Sequence, residues 1–120
     1  LAGALPVALA APFLMRSYGA GFERGAAVLA LSAAAGAICA LNGVAGTAIL
    51  SGGSVWTGLL FNLLWAGVFL AGCRWLVPSH LALGLSVSLL AAYLAHTGWQ
   101  AAYLWKRLRL SGRPAGGGQG

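Results

Sequence analysis

Four apolar runs, separated by short polar breaks, make up most of the chain. They cover residues 1–15, 25–50, 55–77 and approximately 81–105. A helix rises about 1.5 Å per residue, and about 20 apolar residues are needed to cross the hydrocarbon core of a bilayer. The second, third and fourth runs are long enough for this. The pattern therefore predicts an all-α, polytopic membrane protein with about three full transmembrane helices.

The first run is too short to cross a bilayer, and no basic leader precedes it. We expect it to be one partial amino-terminal helix, the second half of a helix that begins in missing amino-terminal helices of the same chain. Residues 1–107 then form a transmembrane helical bundle that is a fragment of a larger transporter. Residues 108–120 are basic and rich in glycine, which predicts a disordered cytoplasmic tail.

Three breaks separate the runs. The link at residues 16–24 contains charged residues and two glycines, and it suits a loop at the membrane surface. The sequence Ser-Gly-Gly-Ser at 51–54 predicts a tight bend, because glycine adopts turn conformations without steric penalty. The sequence Pro-Ser-His at 78–80 predicts the third break, because proline cannot continue a helix normally.

The charge composition supports a lipid environment and sets an orientation. Only 7% of the residues are charged, with seven Lys and Arg against one acidic residue, whereas soluble domains average about 25%. Basic residues cluster after the fourth run, at Lys106, Arg107, Arg109 and Arg113, which places that end in the cytoplasm. The bend at 51–54 then lies inside and the link at 16–24 outside. Membrane lipids explain the basic residues, and we expect no nucleic-acid partner.

Polar side chains within the runs form the candidate site. Asn42, Asn62 and His96 each lie about seven to nine residues from the inner end of their run, at a depth of roughly 10–14 Å. Gln100 shares a helix face with His96. One interpretation is hydrogen bonding between helices. A second is a polar wall along a cavity that faces the cytoplasm, and a third is a proton-relay role for His96.

Arg74 is the candidate for an anion contact. It lies about one turn from the outer end of the third run, where it can reach the outer headgroups. The functional alternative is contact with an anion such as a lipid-linked pyrophosphate.

Enzymatic chemistry has no support in these residues. The runs contain no acidic residue, and no phosphate-binding loop, paired carboxylates or metal-ligand spacing is found. We therefore expect no catalytic residue, no metal site and no cofactor.

The order of the features resembles the carboxy-terminal part of an oligosaccharide flippase of the polysaccharide-biosynthesis type, in the multidrug/oligosaccharidyl-lipid/polysaccharide exporter superfamily. The matching stretches are APFLMRSYGAGFERG at 11–25, ALNGVAGTAILSGG at 40–53, Leu-Phe-Asn at 60–62, and the long last run with its basic end. The resemblance implies two six-helix lobes around a central cavity, with this chain at the end of the second lobe.

The resemblance also implies a function. Such proteins move a lipid-linked oligosaccharide or polysaccharide precursor across the bacterial plasma membrane by alternating access, so the expected partners are membrane lipids and a lipid-linked glycan. Two alternatives stay open. A multidrug/cation antiporter of the same superfamily would carry acidic residues inside its spans, and these runs have none. A small non-transporting membrane subunit would be a chain of about this length.

Overall fold

The computed structural model describes residues 4–17, 19 and 25–111. Within these ranges the chain is helical apart from short turns and contains no strand. The helices are α1 (Ala4–Ser17), α2 (Gly25–Ser51) and α3 (Val55–Ser111). The all-α prediction is confirmed for this part of the chain. Most of the link at 16–24, including Glu23 and Arg24, lies outside the described residues, as does the tail from residue 112 onward.

Helix α1 packs against the start of α2. Its interior contains Pro12, and its last residue, Ser17, donates a hydrogen bond of 2.7 Å to the carbonyl of Leu14. A Cβ atom placed on Gly25 would lie 3.0 Å from Sδ of Met15. The absence of a side chain at Gly25 therefore lets the two helices approach closely.

The predicted bend at 51–54 is confirmed. Helix α2 ends at Ser51 and α3 begins at Val55. Gly53 has a φ of 79°, a conformation that glycine adopts without strain, and its N–H donates to the carbonyl of Leu50 at 2.9 Å. This turn connects α2 to α3 with only three intervening residues.

Helix α3 contains a sharp bend at Leu81, which has a φ of 47° and a ψ of −122°. The sequence predicted the break across residues 78–80, and the non-helical residue lies just after them. Pro78 lacks an N–H group, so the carbonyl one turn earlier loses its helical partner and the helix is weakened locally. We refer to residues 55–80 as arm one and to residues 82–111 as arm two.

The two arms fold back on each other as an antiparallel hairpin. Near the bend, a Cβ atom on Gly72 would lie 2.9 Å from Cβ of Ser88. Farther away, the Trp65 and Tyr93 rings lie 5.4 Å apart, centroid to centroid. At the open end, the Tyr103 hydroxyl donates to Oγ of Ser54 at 3.0 Å. Contacts thus continue from the bend as far as Tyr103 of arm two.

Close approach at the bend requires glycine. A Cβ atom on Gly84 would overlap the backbone carbonyl of Leu76. The hairpin can turn this tightly because arm two presents backbone rather than a side chain at that point.

Helix α2 lies beside arm two and runs in the same direction. Ser32 faces Ser86, with their hydroxyl oxygens 3.3 Å apart, and Asn42 binds the backbone of Tyr93. At the end of α2, Nη2 of Arg107 donates to the carbonyl of Gly52 at 2.9 Å. Arm two continues as helix to Ser111, so residues 108–111 of the predicted tail are helical.

The distribution of polarity is the reverse of that in a water-soluble core. Among the described residues, the buried polar side chains are as numerous as the buried hydrophobic ones; they are Asn42, Ser86, Ser88, His96 and Gln100. Many large apolar side chains are exposed instead, including Trp75 at 83%. Two helices, Gly25–Ser51 and Val55–Leu110, are long and apolar enough to cross a membrane, and only 11% and 6% of their most apolar windows are buried.

Candidate functional site

A polar seam joins α2 to arm two. Nδ2 of Asn42 donates to the carbonyl of Tyr93 at 3.2 Å, and Oδ1 of Asn42 accepts from the hydroxyl of Thr97 at 2.9 Å. The Thr97 hydroxyl also lies 2.9 Å from the Tyr93 carbonyl, one helical turn earlier. Both polar ends of the Asn42 amide are therefore engaged across the helix interface.

The second polar pair lies within arm two. Nε2 of His96 and Nε2 of Gln100 are 2.8 Å apart, and the two residues are separated by one turn of the helix. Both are almost completely buried, with 7% and 5% of their surfaces exposed. Gly46 of α2 lies opposite, where an added Cβ would be 3.6 Å from Nε2 of Gln100. The small residue on α2 makes room for the glutamine amide.

This pair leaves buried polar atoms without partners in the described part of the chain. Nδ1 of His96 and Oε1 of Gln100 make no hydrogen bond of good geometry, although the imidazole lies beside the backbone of Phe61. The indole Nε1 atoms of Trp65 and Trp99 are likewise buried and unpartnered. Native structures leave few such groups, so a local cluster of them calls for an explanation.

Aromatic rings surround the buried pair. His96 contacts Trp99 edge-on, with centroids 5.6 Å apart, and Phe61 meets the edge of Tyr103 at 5.7 Å. On the other side, Trp65 stacks on Phe69 at 5.5 Å. The Phe61–Tyr103 contact joins the two arms beside the polar pair, whereas the other two contacts each lie within one arm.

A cavity of about 580 Å³ lies between α2 and the two arms of α3. Its lining includes no acidic side chain, no lysine and no arginine. Most of its surface is apolar. Neutral polar and aromatic side chains from all three segments also line it: Cys39, Asn42, Thr47, Asn62, Trp65, Tyr93, His96 and Gln100. Its position next to Leu50 and Val55 puts it toward the end of the bundle that carries the bend at 51–54.

The four residues of the predicted polar layer all line this cavity, but they play different structural parts. Asn42 bonds across helices, whereas His96 and Gln100 bond to each other within one helix. Asn62 is exposed and forms no hydrogen bond with another described residue. Asn42 therefore forms hydrogen bonds between helices, and Asn62 lies on the cavity wall without such a bond to a described residue.

Arg74 lies apart from this cavity, near the bend of α3. Its side chain is exposed and forms no hydrogen bond or ion pair with another described residue. The geometry does not bring it together with the polar residues of the cavity.

The sequence pattern did not predict two residues of the site. Thr97 supplies the bond to Asn42, and Trp65 supplies both aromatic wall and an unpartnered N–H group. The spacing of Tyr93 and Thr97 by one helical turn on the run that carries His96 was the available signal.

No protein-family model, curated protein or solved structure matches the chain.

Proposed function

We propose that the chain is embedded in a membrane, with α2 and the two arms of α3 as three spans and α1 as part of a fourth. The reversed polarity supports this, because exposed apolar side chains are favourable only in lipid or against further apolar helices. Each segment exceeds the roughly 20 residues that a bilayer requires. The buried hydroxyls of Ser86 and Ser88 bond to carbonyls of their own helix, as expected where water is absent.

We infer a cytoplasmic position for the bend at 51–54 and for the basic end of arm two. Lys106, Arg107 and Arg109 follow the last apolar stretch, and positive charge favours the cytoplasmic side. Arg74 then lies at the opposite surface, where its exposed side chain can reach headgroups. The cavity, located toward the 51–54 end, opens in the inner half of the bilayer under this topology.

The function we propose is the flipping of a lipid-linked oligosaccharide or polysaccharide precursor across a bacterial plasma membrane. The observation that carries the proposal is an open, largely apolar cavity with neutral polar side chains in its wall, inside a bundle whose outer surface is apolar. A cargo with a polar head and a lipid tail needs such a combination, since its head must cross hydrocarbon while its tail stays in lipid. Helices of a second lobe would complete the cavity and rock against these by alternating access.

A cation antiporter is the less favoured transport function. Stabilising a cation inside a membrane requires an acidic side chain or a dense set of carbonyl ligands, and the cavity wall offers no acid. A non-transporting scaffolding subunit is also less favoured than a flippase, because a scaffold does not require a cavity between its helices.

A reconstitution assay tests the proposal. The full chain that contains this sequence is placed in proteoliposomes with a fluorescent polyprenyl-diphosphate oligosaccharide, and access of an external glycosidase to the labelled sugar is followed. Flipping predicts that the protected inner-leaflet pool becomes accessible in protein-containing vesicles but not in empty ones. Equal protection in both would reject the function, and uptake of a cationic dye against a proton gradient would favour the antiporter.

A further inference from the structure

The chemical character of the cavity wall indicates which part of a cargo it can bind. A pyrophosphate needs cationic side chains, and a cationic drug needs anionic ones. The wall has neither, and Arg74 lies outside it. Its surface is mainly apolar and partly aromatic, and its polar lining residues carry amide, imidazole, hydroxyl and indole groups. These are groups that bind uncharged, hydroxyl-bearing molecules.

The His96–Gln100 contact strengthens this conclusion, because it has only two chemical forms. In one, the amide N–H of Gln100 donates to Nε2 of His96, which leaves an Nδ1–H donor and the Oε1 acceptor. In the other, the amide is turned over, His96 donates to Gln100, and Nδ1 becomes the acceptor beside the free amide N–H groups. Either form leaves at least one donor and one acceptor without a hydrogen bond of good geometry.

A hydroxyl group both donates and accepts, so it matches the unpartnered pair in either form. Both residues line the cavity while their free atoms are buried, so a ligand hydroxyl reaches them only when the Gln100 amide rotates toward the cavity.

Two more neutral polar residues line the same cavity. The amide of Asn62 is exposed and can both donate and accept, whereas the Nε1–H of Trp65 is a buried, unpartnered donor that a ligand reaches only after a side-chain rotation. The aromatic rings of Trp65 and Tyr93, 5.4 Å apart, supply surface whose negative face attracts the slightly positive C–H groups of a sugar ring.

We propose that this cavity binds the uncharged sugar portion of the cargo, with His96, Gln100, Trp65 and Asn62 as its hydrogen-bonding groups. This assignment of a sugar to the cavity rests on the flipping function proposed above. The diphosphate of the lipid carrier would then bind to another part of the complete transporter.

Saturation-transfer NMR on the full chain in lipid nanodiscs tests the site with three probes of matched tail: hexyl β-glucoside, hexyl phosphate and hexyltrimethylammonium. We expect saturation transfer to the glucoside ring protons to be stronger with protein-containing nanodiscs than with empty ones. For the two charged probes, transfer should be the same with both kinds of nanodisc. Gln100→Leu and Asn62→Leu should each weaken glucoside binding by about threefold to tenfold, because each removes hydrogen bonds to the hydroxyls. Ser32→Ala, outside the cavity, should leave binding unchanged.

Asn62 is exposed and forms no hydrogen bond with another described residue, so Asn62→Leu should not disturb folding. It therefore tests the site even if Gln100→Leu destabilises the protein. Stronger transfer to either charged probe would overturn the inference, and so would glucoside binding that neither cavity variant changes. Flipping without glucoside binding rejects only the sugar site. Glucoside binding without flipping rejects only the transport function.

Discussion

The hydroxyl of Thr97 donates a hydrogen bond of 2.9 Å to Oδ1 of Asn42, and this bond connects α2 to arm two of α3. Hydrogen bonds between membrane helices contribute about 0.6 kcal/mol on average and rarely more than about 1.7. We expect Thr97→Val and Asn42→Leu each to lower the free energy of unfolding. A double-mutant cycle in detergent-denaturation experiments should give a coupling of about 0.6 kcal/mol. Additive effects of the two substitutions would show that the bond does not form.

Asn62 should matter for transport and not for folding. Its side chain is exposed, lines the cavity and has no hydrogen-bond partner among the described residues. Asn62→Leu is therefore expected to change the free energy of unfolding by less than about 0.5 kcal/mol while it reduces flipping in proteoliposomes. Leu63→Val, at an exposed neighbour outside the cavity lining, is the control. Wild-type flipping at wild-type expression would contradict a role for Asn62 in the cavity.

Gly84 should be intolerant of a methyl group. A Cβ atom there would overlap the carbonyl of Leu76, whereas nothing lies within 4 Å of a Cβ on Gly67. Gly84→Ala is expected to destabilise the fold by about 1–3 kcal/mol, because backbone must shift to relieve the overlap. Gly67→Ala should be neutral or stabilising, since alanine favours helix more than glycine does. Equal thermal stability of the two variants would mean that the bend is less tight than described.

Arg107 should hold the turn between α2 and α3. Its Nη2 atom donates to the carbonyl of Gly52, one of the groups that a helix end leaves without an internal partner. We expect Arg107→Gln to accelerate amide hydrogen exchange at residues 51–54 under native conditions. Lys106→Gln removes the same charge from the neighbouring position and serves as the control. The same exchange rates in both variants would indicate an effect of net charge alone.

The sequence predicted the elements well because their boundaries are chemically marked. Gly25, the glycine-rich turn at 51–54 and Pro78 each coincide with, or lie close to, a change in the backbone. Leu81 was not identifiable as the bend itself, since leucine has no preference for a positive φ. The bend at this position results from the packing of the arms, which a local pattern does not reveal.

The site was less predictable than the fold. Helices that are apolar around their whole circumference give little indication of which face is turned inward. Depth could be estimated by counting residues, and Asn42, Asn62, His96 and Gln100 do line one cavity. The exposure of Asn62 and the contribution of Thr97 depend on helix rotation, so they could be learned only from the three-dimensional arrangement.

The folding of α3 into a hairpin is the central claim, because the cavity and the proposed spans depend on it. The most direct measurement is disulfide formation in a Gly72→Cys/Ser88→Cys variant that lacks both native cysteines. A Cβ on Gly72 would lie 2.9 Å from Cβ of Ser88, so a small outward shift reaches the roughly 3.5–4.5 Å of a disulfide. In an unbroken helix the two positions would be about 24 Å apart.

The hairpin predicts rapid intramolecular cross-linking on mild oxidation, measured by mass spectrometry of the monomer band. Gly67→Cys/Ser88→Cys should stay reduced under the same conditions, since no atom lies within 4 Å of a Cβ on Gly67. Failure of the Gly72/Ser88 pair to cross-link within one chain, or the formation of dimers alone, would contradict the account.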